Sequence, residues 1–328
     1  MRRFVIGLGV TGVSVALLWR LVDVGAALSA VKSAEPRLIV LAVACLMASI
    51  VAKTARWRLL LPSQAGITTR GLYRIIHISF LLNNVLPARV GDVARVALTS
   101  QKQGVRSGHV LSSLLTERVT DTVTLLAGFV VVSPFLPLPT EYIPWVHGAW
   151  AVLALCVAFG VLVFLMHGPI SRLTARLPLR RLVPKSERME EEARSFREGW
   201  RQLFSKQHVV GIWVWSWTAW VTAFGINYLL MRALHIDAPF AVAVLLTCTT
   251  NLAMLIPSSP GYVGVFHAAA TLSLAPFHVA ASAALSFAIL AHLVNVVPVS
   301  LLGAGFLLLG HDSLKVGFRQ DREQIADI

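Results

Sequence analysis

The sequence predicts an all-α, polytopic membrane protein, and three observations support this class. Hydrophobic residues make up 56% of the 328 residues, and charged residues make up only 14%. The mean hydropathy is +0.71, well above that of soluble domains. Apolar runs of about 20 residues, long enough to cross a hydrocarbon core, recur from one end of the chain to the other. We therefore expect one membrane domain over residues 1–328, with no soluble domain attached.

The charge and the cysteine content exclude some classes of function. The net charge is +13, and in a membrane protein excess Lys and Arg first report topology and contact with anionic head groups. No basic segment has the aromatic interleaving of a nucleic-acid-binding fold, so no nucleic-acid partner is expected. Cys45, Cys156 and Cys248 lie singly in apolar runs. Because zinc spacings, a Walker loop and a nucleotide fingerprint are also missing from the sequence, no metal or cofactor is expected.

About six runs are predicted to be full transmembrane helices. They are Phe4 to Val22, Arg37 to Ala55, His109 to Val132, Trp145 to Met166, His208 to Met231 and Ala280 to Leu309. A signal peptide is the alternative for the first run, but that run nearly suffices to span and further spans follow it. An interfacial aromatic belt is predicted at the start of the fifth run. Its members are Trp213, Trp215, Trp217 and Trp220.

The stretch 81–96, LLNNVLPARVGDVARV, interrupts a membrane helix with polar, charged, proline and glycine residues. Such residues at membrane depth usually face a protein interior or a wet cavity. The helix before the break, Gly71 to Leu86, is followed by only a short return arm, Asp92 to Ser100. Two arrangements fit: a full crossing followed by a surface helix, or a re-entrant hairpin over residues 71–100 that enters from the cytoplasm.

The distribution of basic residues favours the re-entrant hairpin. Two basic segments are involved: the end of the second span with its following loop, and the linker 168–207. The first segment contains Lys53, Arg56, Arg58, Arg70 and Arg74. The positive-inside rule places both segments in the cytoplasm, and only the re-entrant arrangement allows this. The N-terminus and the tail 311–328 are then cytoplasmic too, if residues 238–276 form a second hairpin entering from outside.

The two hairpins are related by sequence and by direction. Residues 85–93 and 255–263 both read apolar, apolar, Pro, three residues, Gly, any residue, Val. The halves 37–132 and 208–309 would cross the membrane in opposite senses. This predicts an inverted repeat, in which broken helices meet near the bilayer midplane and form the substrate site.

The tip of the first hairpin supplies the candidate anion-binding groups Asn84, Arg89, Gly91, Asp92 and Arg95. Gly91 permits an unusual backbone angle, so the return helix is expected to begin near Gly91 or Asp92. Free N–H groups at that helix start, with the two arginines, suit a phosphate. Asp92 has a structural alternative as a helix cap paired with Arg95.

The following span carries Glu117, Arg118 and Asp121. Glu117 and Asp121 share a helix face and can pair with Arg89 or Arg95. Two interpretations remain open: a structural lock between this helix and the hairpin, or a carboxylate whose proton is coupled to transport.

The tip of the second hairpin supplies neutral hydrogen-bonding groups. They are Ser258, Ser259, Gly261, Tyr262 and His267. A hydrogen-bonded core histidine is the alternative interpretation of His267.

Three motifs in this order, PARVGDVAR, TERVTD and PSSPGYVGVFHAA, resemble the lysylphosphatidylglycerol synthase transmembrane, or flippase-like, family over nearly the whole chain. The resemblance implies a lipid translocase and carries over three sets of motif residues. They are Arg89, Gly91, Asp92 and Arg95; Glu117, Arg118 and Asp121; and Pro257, Pro260, Gly261 and Gly264. Many relatives have Gly-Gly and Glu where this chain has Gly261-Tyr262 and His267. The aminoacyl-transferase domain of the longer enzymes is absent, so lysine transfer is not expected.

The sequence therefore favours a multi-pass flippase of the bacterial inner membrane rather than an enzyme. Its expected substrate is an anionic phospholipid or a polyprenyl-phosphate-linked lipid, and enzymes of lipid or glycan biosynthesis are candidate partners. One alternative is a membrane-embedded enzyme that uses Glu117 or Asp121 as a general base. A second alternative is a small-solute transporter. The lipid head group, the direction of transport and the oligomeric state are left open.

Overall fold

A computed structural model of the chain describes residues 29, 31–62, 66–86, 89–136, 138–144, 146–148, 150–155, 158, 191–192, 194–195, 198, 206–254 and 259–309. Several predicted features lie outside these residues. They are the span at 4–22, the tail 311–328, the tip residues Pro87, Pro257 and Ser258, and most of the span at 145–166 and of the linker 168–207.

The described part of the chain is all-helical and contains no strand. Its principal helices are α1 (Pro36–Leu60), α2 (Thr69–Val85), α3 (Val90–Gln103), α4 (Ser107–Val132), α5 (Lys206–Ala233), α6 (Phe240–Ala253), α7 (Val265–Leu274) and α8 (Ala281–Leu309). Short 3-10 turns lie at Ser133–Phe135, Thr140–Tyr142, Pro260–Tyr262 and Ala275–Phe277. Among the described residues, α1, α4, α5 and α8 are the helices long and apolar enough to cross a membrane.

Helix boundaries agree closely with the sequence pattern except at the end of α1. This helix continues to Leu60, five residues past the predicted end of the second span. Arg56 therefore lies inside a helix and is fully buried, so the interpretation of Arg56 as a loop charge is wrong. A buried arginine needs a partner, and the fold supplies one from α4.

Helix packing brings the two halves of the chain together. The most extensive contact joins α1 to α5, and the next joins α8 to α2. In the second contact, a Cβ added at Gly303 would lie 2.5 Å from the carbonyl oxygen of His77, so glycine allows the two backbones to approach. Large side chains such as Trp57, Leu230 and Phe287 are buried in the core.

The outer surfaces of these helices are apolar. Large exposed side chains include Leu41 on α1, Val221 on α5 and Leu301 on α8. Many exposed apolar side chains on helices of this length are typical of membrane proteins.

Helices α2 and α3 form one helical hairpin, and α6 and α7 form a second. The left-handed backbone at the first tip falls on Arg89, with φ 55°, so the prediction that Gly91 has the unusual angle is wrong. Gly91 is needed for another reason: an added Cβ would collide with the carbonyl oxygen of Ser79 on α2.

The two hairpin tips meet. Gly261 has φ 68°, and its Cβ position lies 3.3 Å from the carbonyl oxygen of Asn84. Arg89 reaches across in the other direction, and its Nη2 donates to the carbonyl oxygen of Met254 at 3.1 Å. The site described below is built around this contact.

Candidate functional site

A cavity of about 250 Å³, here called the charged cavity, lies beside the first hairpin tip. Four cationic side chains and two carboxylates line it. They are Lys53, Arg89, Arg95, Arg118, Glu117 and Asp121. The remaining wall is largely apolar and includes Leu125, Leu126 and Leu252.

Arg95 and Glu117 form a buried, bidentate ion pair. The Nη1 and Nη2 atoms of Arg95 donate to the two carboxylate oxygens at 3.1 and 2.8 Å. The guanidinium also lies over the ring of Trp57, 3.7 Å from its centroid, and Trp57 Nε1 donates to Ser113 Oγ at 3.1 Å. Two parallel charge-assisted bonds and an aromatic face hold Arg95 in one orientation.

Arg56 is the counterpart of Arg95 on α1, and sequence reasoning missed it as a site residue. Its Nη1 donates to Asp121 Oδ1 at 2.6 Å and to Ser216 Oγ at 3.0 Å, and its Nη2 lies 3.8 Å from Glu117. Lys53 and Arg56 are less than one turn apart in an otherwise apolar helix, and this spacing was the signal available in the sequence.

Asp92 pairs with Arg118 and not with Arg95. Arg118 Nη2 donates to Asp92 Oδ2 at 2.8 Å, and Asn83 Nδ2 donates to Oδ1 at 3.2 Å. The interpretation of Asp92 as a cap paired with Arg95 is therefore wrong, since no side chain caps α3. The Arg118 side chain is 49% exposed. The residues that follow Arg118 and Asp92 in the sequence, Val119 and Val93, are exposed and apolar. The Asp92–Arg118 ion pair therefore lies where the charged cavity meets the apolar outer surface.

Arg89 has no carboxylate oxygen within 4.0 Å among the described residues. Its hydrogen bond to the Met254 carbonyl holds it at the cavity wall, but a neutral carbonyl leaves the guanidinium charge unbalanced.

A second cavity of about 220 Å³, here called the amide cavity, adjoins the first. Four asparagines line it. They are Asn84, Asn227, Asn251 and Asn295. The two cavities share seven wall residues. They are Lys53, Phe80, Asn84, Trp220, Asn251, Met254 and Tyr262.

Trp220 lies at the boundary between the two cavities. The interpretation of Trp220 as part of an interfacial belt is therefore wrong. The side chain is buried, and its Nε1 donates to Asp121 Oδ1 at 3.0 Å. Lys53 Nζ lies 5.0 Å from the ring centroid, within the range of a cation–π contact.

The structure separates the predicted site residues into two groups. Eight line one or both cavities. They are Asn84, Arg89, Arg95, Glu117, Arg118, Asp121, Gly261 and Tyr262. Gly91, Asp92, Ser259 and His267 line neither of these cavities, and Ser258 is outside the described residues. The His267 ring instead packs on His292, with 4.9 Å between centroids. No group of three His, Cys, Asp or Glu side chains in the described part could hold a metal ion.

Charge balance is the main chemical property of the site. Each carboxylate in the network already accepts from an arginine: Glu117 from Arg95, Asp121 from Arg56 and Asp92 from Arg118. Lys53 and Arg89 add two positive charges that no described carboxylate matches within 4.0 Å. A cavity with surplus cations beside apolar walls suits an amphiphile with an anionic head.

The chain is similar to known proteins over most of its length. The family model described as "Lysylphosphatidylglycerol synthase TM region" matches residues 4–303. A curated protein named glycosyltransferase AglD, from Haloferax volcanii, is 28% identical over 364 aligned positions. The alignment covers 99% of this chain and 56% of that protein, so the chain spans about half the length of this relative.

Proposed function

Because this chain belongs to the lysylphosphatidylglycerol synthase transmembrane family, we propose that it moves an anionic lipid between the leaflets of a bacterial inner membrane. The substrate class is an anionic phospholipid or a polyprenyl-phosphate-linked lipid. Its phosphate enters the charged cavity, and its tails stay in the surrounding hydrocarbon.

The surplus of cations carries this proposal. Uncompensated charge within the membrane is costly. The two unmatched cations at the cavity wall, Lys53 and Arg89, are therefore best explained by a ligand that supplies the opposite charge. The matched ion pairs hold the cavity in shape, and the unmatched cations attract the phosphate. The apolar residues beside Arg118 give the lipid tails a hydrocarbon-facing surface at the same place.

The hairpins provide the second part of the proposed mechanism. In this proposal α2–α3 and α6–α7 are re-entrant hairpins that enter from opposite sides and meet at the Arg89–Met254 contact. Small movements of one tip against the other would open the cavities alternately to the two leaflets. In this proposal Glu117 and Asp121 stay ionised in their pairs with Arg95 and Arg56, and these pairs lock α4 to α3 and α1.

Leaflet transfer in proteoliposomes tests the proposal. Labelled phosphatidylglycerol and a labelled polyprenyl phosphate are incorporated, and transfer is followed by quenching from the outside. We expect wild-type protein to exceed empty vesicles, and Arg89→Ala to lower the rate about tenfold or more, because it removes one of the two unmatched charges that attract the phosphate.

Arg232→Ala is the matched control, because Arg232 pairs with Asp237 on the surface and lines neither cavity described here. Its rate should equal that of wild type. Transfer by wild-type protein no faster than in empty vesicles, for both lipids, would refute the proposed function.

A membrane-embedded enzyme acting on a lipid-linked substrate is the second candidate, because the relative in Haloferax volcanii is named a glycosyltransferase. The geometry favours transport, since Glu117 and Asp121 are both held by arginines and a general base must accept a proton from the substrate. Mass spectrometry of recovered lipid separates the two, because a flippase leaves its substrate chemically unchanged.

A further inference from the structure

We propose that Lys53 and Tyr262 together bind the phosphate of the lipid, at the boundary between the charged cavity and the amide cavity. The inference rests on the proposed function for its ligand class, and it assigns the head group to a place that neither cavity alone defines. Lys53 belongs to α1, in the first half of the chain, and Tyr262 belongs to the tip of the second hairpin.

Lys53 is the cation in the network with the most free hydrogen-bonding capacity. An ammonium has three donors, and among the described residues Lys53 makes no hydrogen bond and has no carboxylate oxygen within 4.0 Å. Its one described polar contact is with the Trp220 ring, 5.0 Å away. That contact orients the side chain and leaves its N–H groups available to an anion.

The arginines of the site are less free. Arg56, Arg95 and Arg118 donate to carboxylates, and Arg89 donates to a backbone carbonyl. These arginines can supply long-range attraction, but an anion that bonded to them directly would have to compete with the existing partners. Lys53 needs no such exchange.

Tyr262 supplies a neutral donor at the same boundary. Its side chain lines both cavities, and its hydroxyl makes no hydrogen bond to any described residue. The residue adopts φ 58°, a left-handed conformation that is unfavourable for a large side chain and is often found at ligand sites. Packing of the tip against Asn84 helps to hold this orientation.

The combination suits a phosphate better than a carboxylate or a neutral sugar. A phosphate has several acceptor oxygens and can accept from an ammonium and a hydroxyl at once. With the phosphate bound at the shared wall, the polar head-group substituent attached to it would enter the amide cavity. There the asparagines offer both donors and acceptors. The charged cavity would then lie on the side of the phosphate that faces the lipid tails.

Amine labelling of the full chain in detergent tests the assignment. An N-hydroxysuccinimide ester modifies lysines, and peptide mass spectrometry gives the rate at each of the six lysines. Three probes are compared: dihexanoyl phosphatidic acid, dihexanoylglycerol with the same tails and no phosphate, and inorganic phosphate. Lys32, which is exposed and lines neither cavity, is the internal reference.

We expect phosphatidic acid to slow the labelling of Lys53 about tenfold or more, with Lys32 unchanged and dihexanoylglycerol without effect. Protection by inorganic phosphate as well would identify the phosphate alone as the recognised group. Protection by phosphatidic acid only would identify the lipid head group together with its tails. An unchanged Lys53 rate with phosphatidic acid would overturn the assignment.

Affinities for dihexanoyl phosphatidic acid test both residues. Lys53→Gln should weaken binding about tenfold to a hundredfold, the range for a hydrogen bond to a charged group, and Lys53→Arg should lose less because it keeps the charge. Tyr262→Phe, which removes only the hydroxyl, should weaken binding about tenfold. Lys32→Gln should match wild type. Wild-type affinity in both Lys53→Gln and Tyr262→Phe would contradict the inference, and the labelling result on wild-type protein stands if a variant fails to fold.

The two proposals fail in different ways. If phosphatidic acid protects Lys53 but proteoliposomes show no leaflet transfer, the binding site holds and transport is wrong. If transfer is observed while Lys53 remains unprotected, transport holds and this site is wrong.

Discussion

Replacing Glu117 by glutamine should destabilise the protein severely. The substitution keeps the size of the side chain but removes the charge that Arg95 meets at 2.8 Å and Arg56 at 3.8 Å. Arg95 is buried and would be left without a counter-charge. Breaking one partner of a buried ion pair typically costs about 3–5 kcal/mol. We expect Glu117→Gln to lower the free energy of unfolding by that amount, measured by denaturant titration in detergent micelles.

Two further variants test the reasoning. The exposed pair of Arg232 and Asp237 has a similar N–O distance of 3.0 Å, yet Asp237→Asn should change stability by no more than the roughly 1 kcal/mol typical of exposed pairs. The double variant Arg95→Met with Glu117→Met removes both charges and should be more stable than Glu117→Gln alone. A loss of under about 1 kcal/mol for Glu117→Gln would refute the assigned pairing.

Two more predictions concern packing and topology. Gly303→Ala should lower the free energy of unfolding by about 1–3 kcal/mol, because its Cβ overpacks against the His77 carbonyl. Gly305→Ala, with no atom near its added Cβ, should be neutral or slightly stabilising. Thermal unfolding of both variants measures this, and equal midpoints would contradict it. In a variant without the native cysteines, Thr140→Cys should react with an impermeant maleimide in intact cells, and Ser186→Cys only after permeabilisation. Labelling of Ser186→Cys in intact cells would contradict the predicted orientation.

Much of the helical layout could be predicted because its signals are local. The bounds predicted for α4, α5 and α8 lie within about two residues of those observed. The end of α1 was misplaced because Arg56 was counted as a loop charge. A charge can remain inside a membrane helix when a distant carboxylate neutralises it, and Asp121 is 65 residues away along the chain.

The candidate site was only partly predictable. Glu117 was expected to meet Arg89 or Arg95, and the structure pairs it with Arg95. The structural alternative that paired Asp92 with Arg95 was wrong, because an i to i+3 pairing within α3 competes with Arg118 from α4 and the interhelical contact wins. Trp220 was assigned to a membrane interface because tryptophan is enriched there. Its burial next to Asp121 depends on the rotation of α5 against α4, which periodicity does not specify.

The sequence by itself determined the membrane class, the family motifs and the two helix breaks. Apolar runs, prolines and glycines act within a few residues, so these features can be found without tertiary contacts. Tertiary structure alone decided which cation meets which carboxylate, and therefore which cations are left unmatched. Ion pairing depends on distances of about 4 Å or less between different helices, set by packing across the whole fold. In the sequence Lys53 is only one of several basic residues near the end of a predicted span, but in the fold it becomes the cation best placed to meet a phosphate.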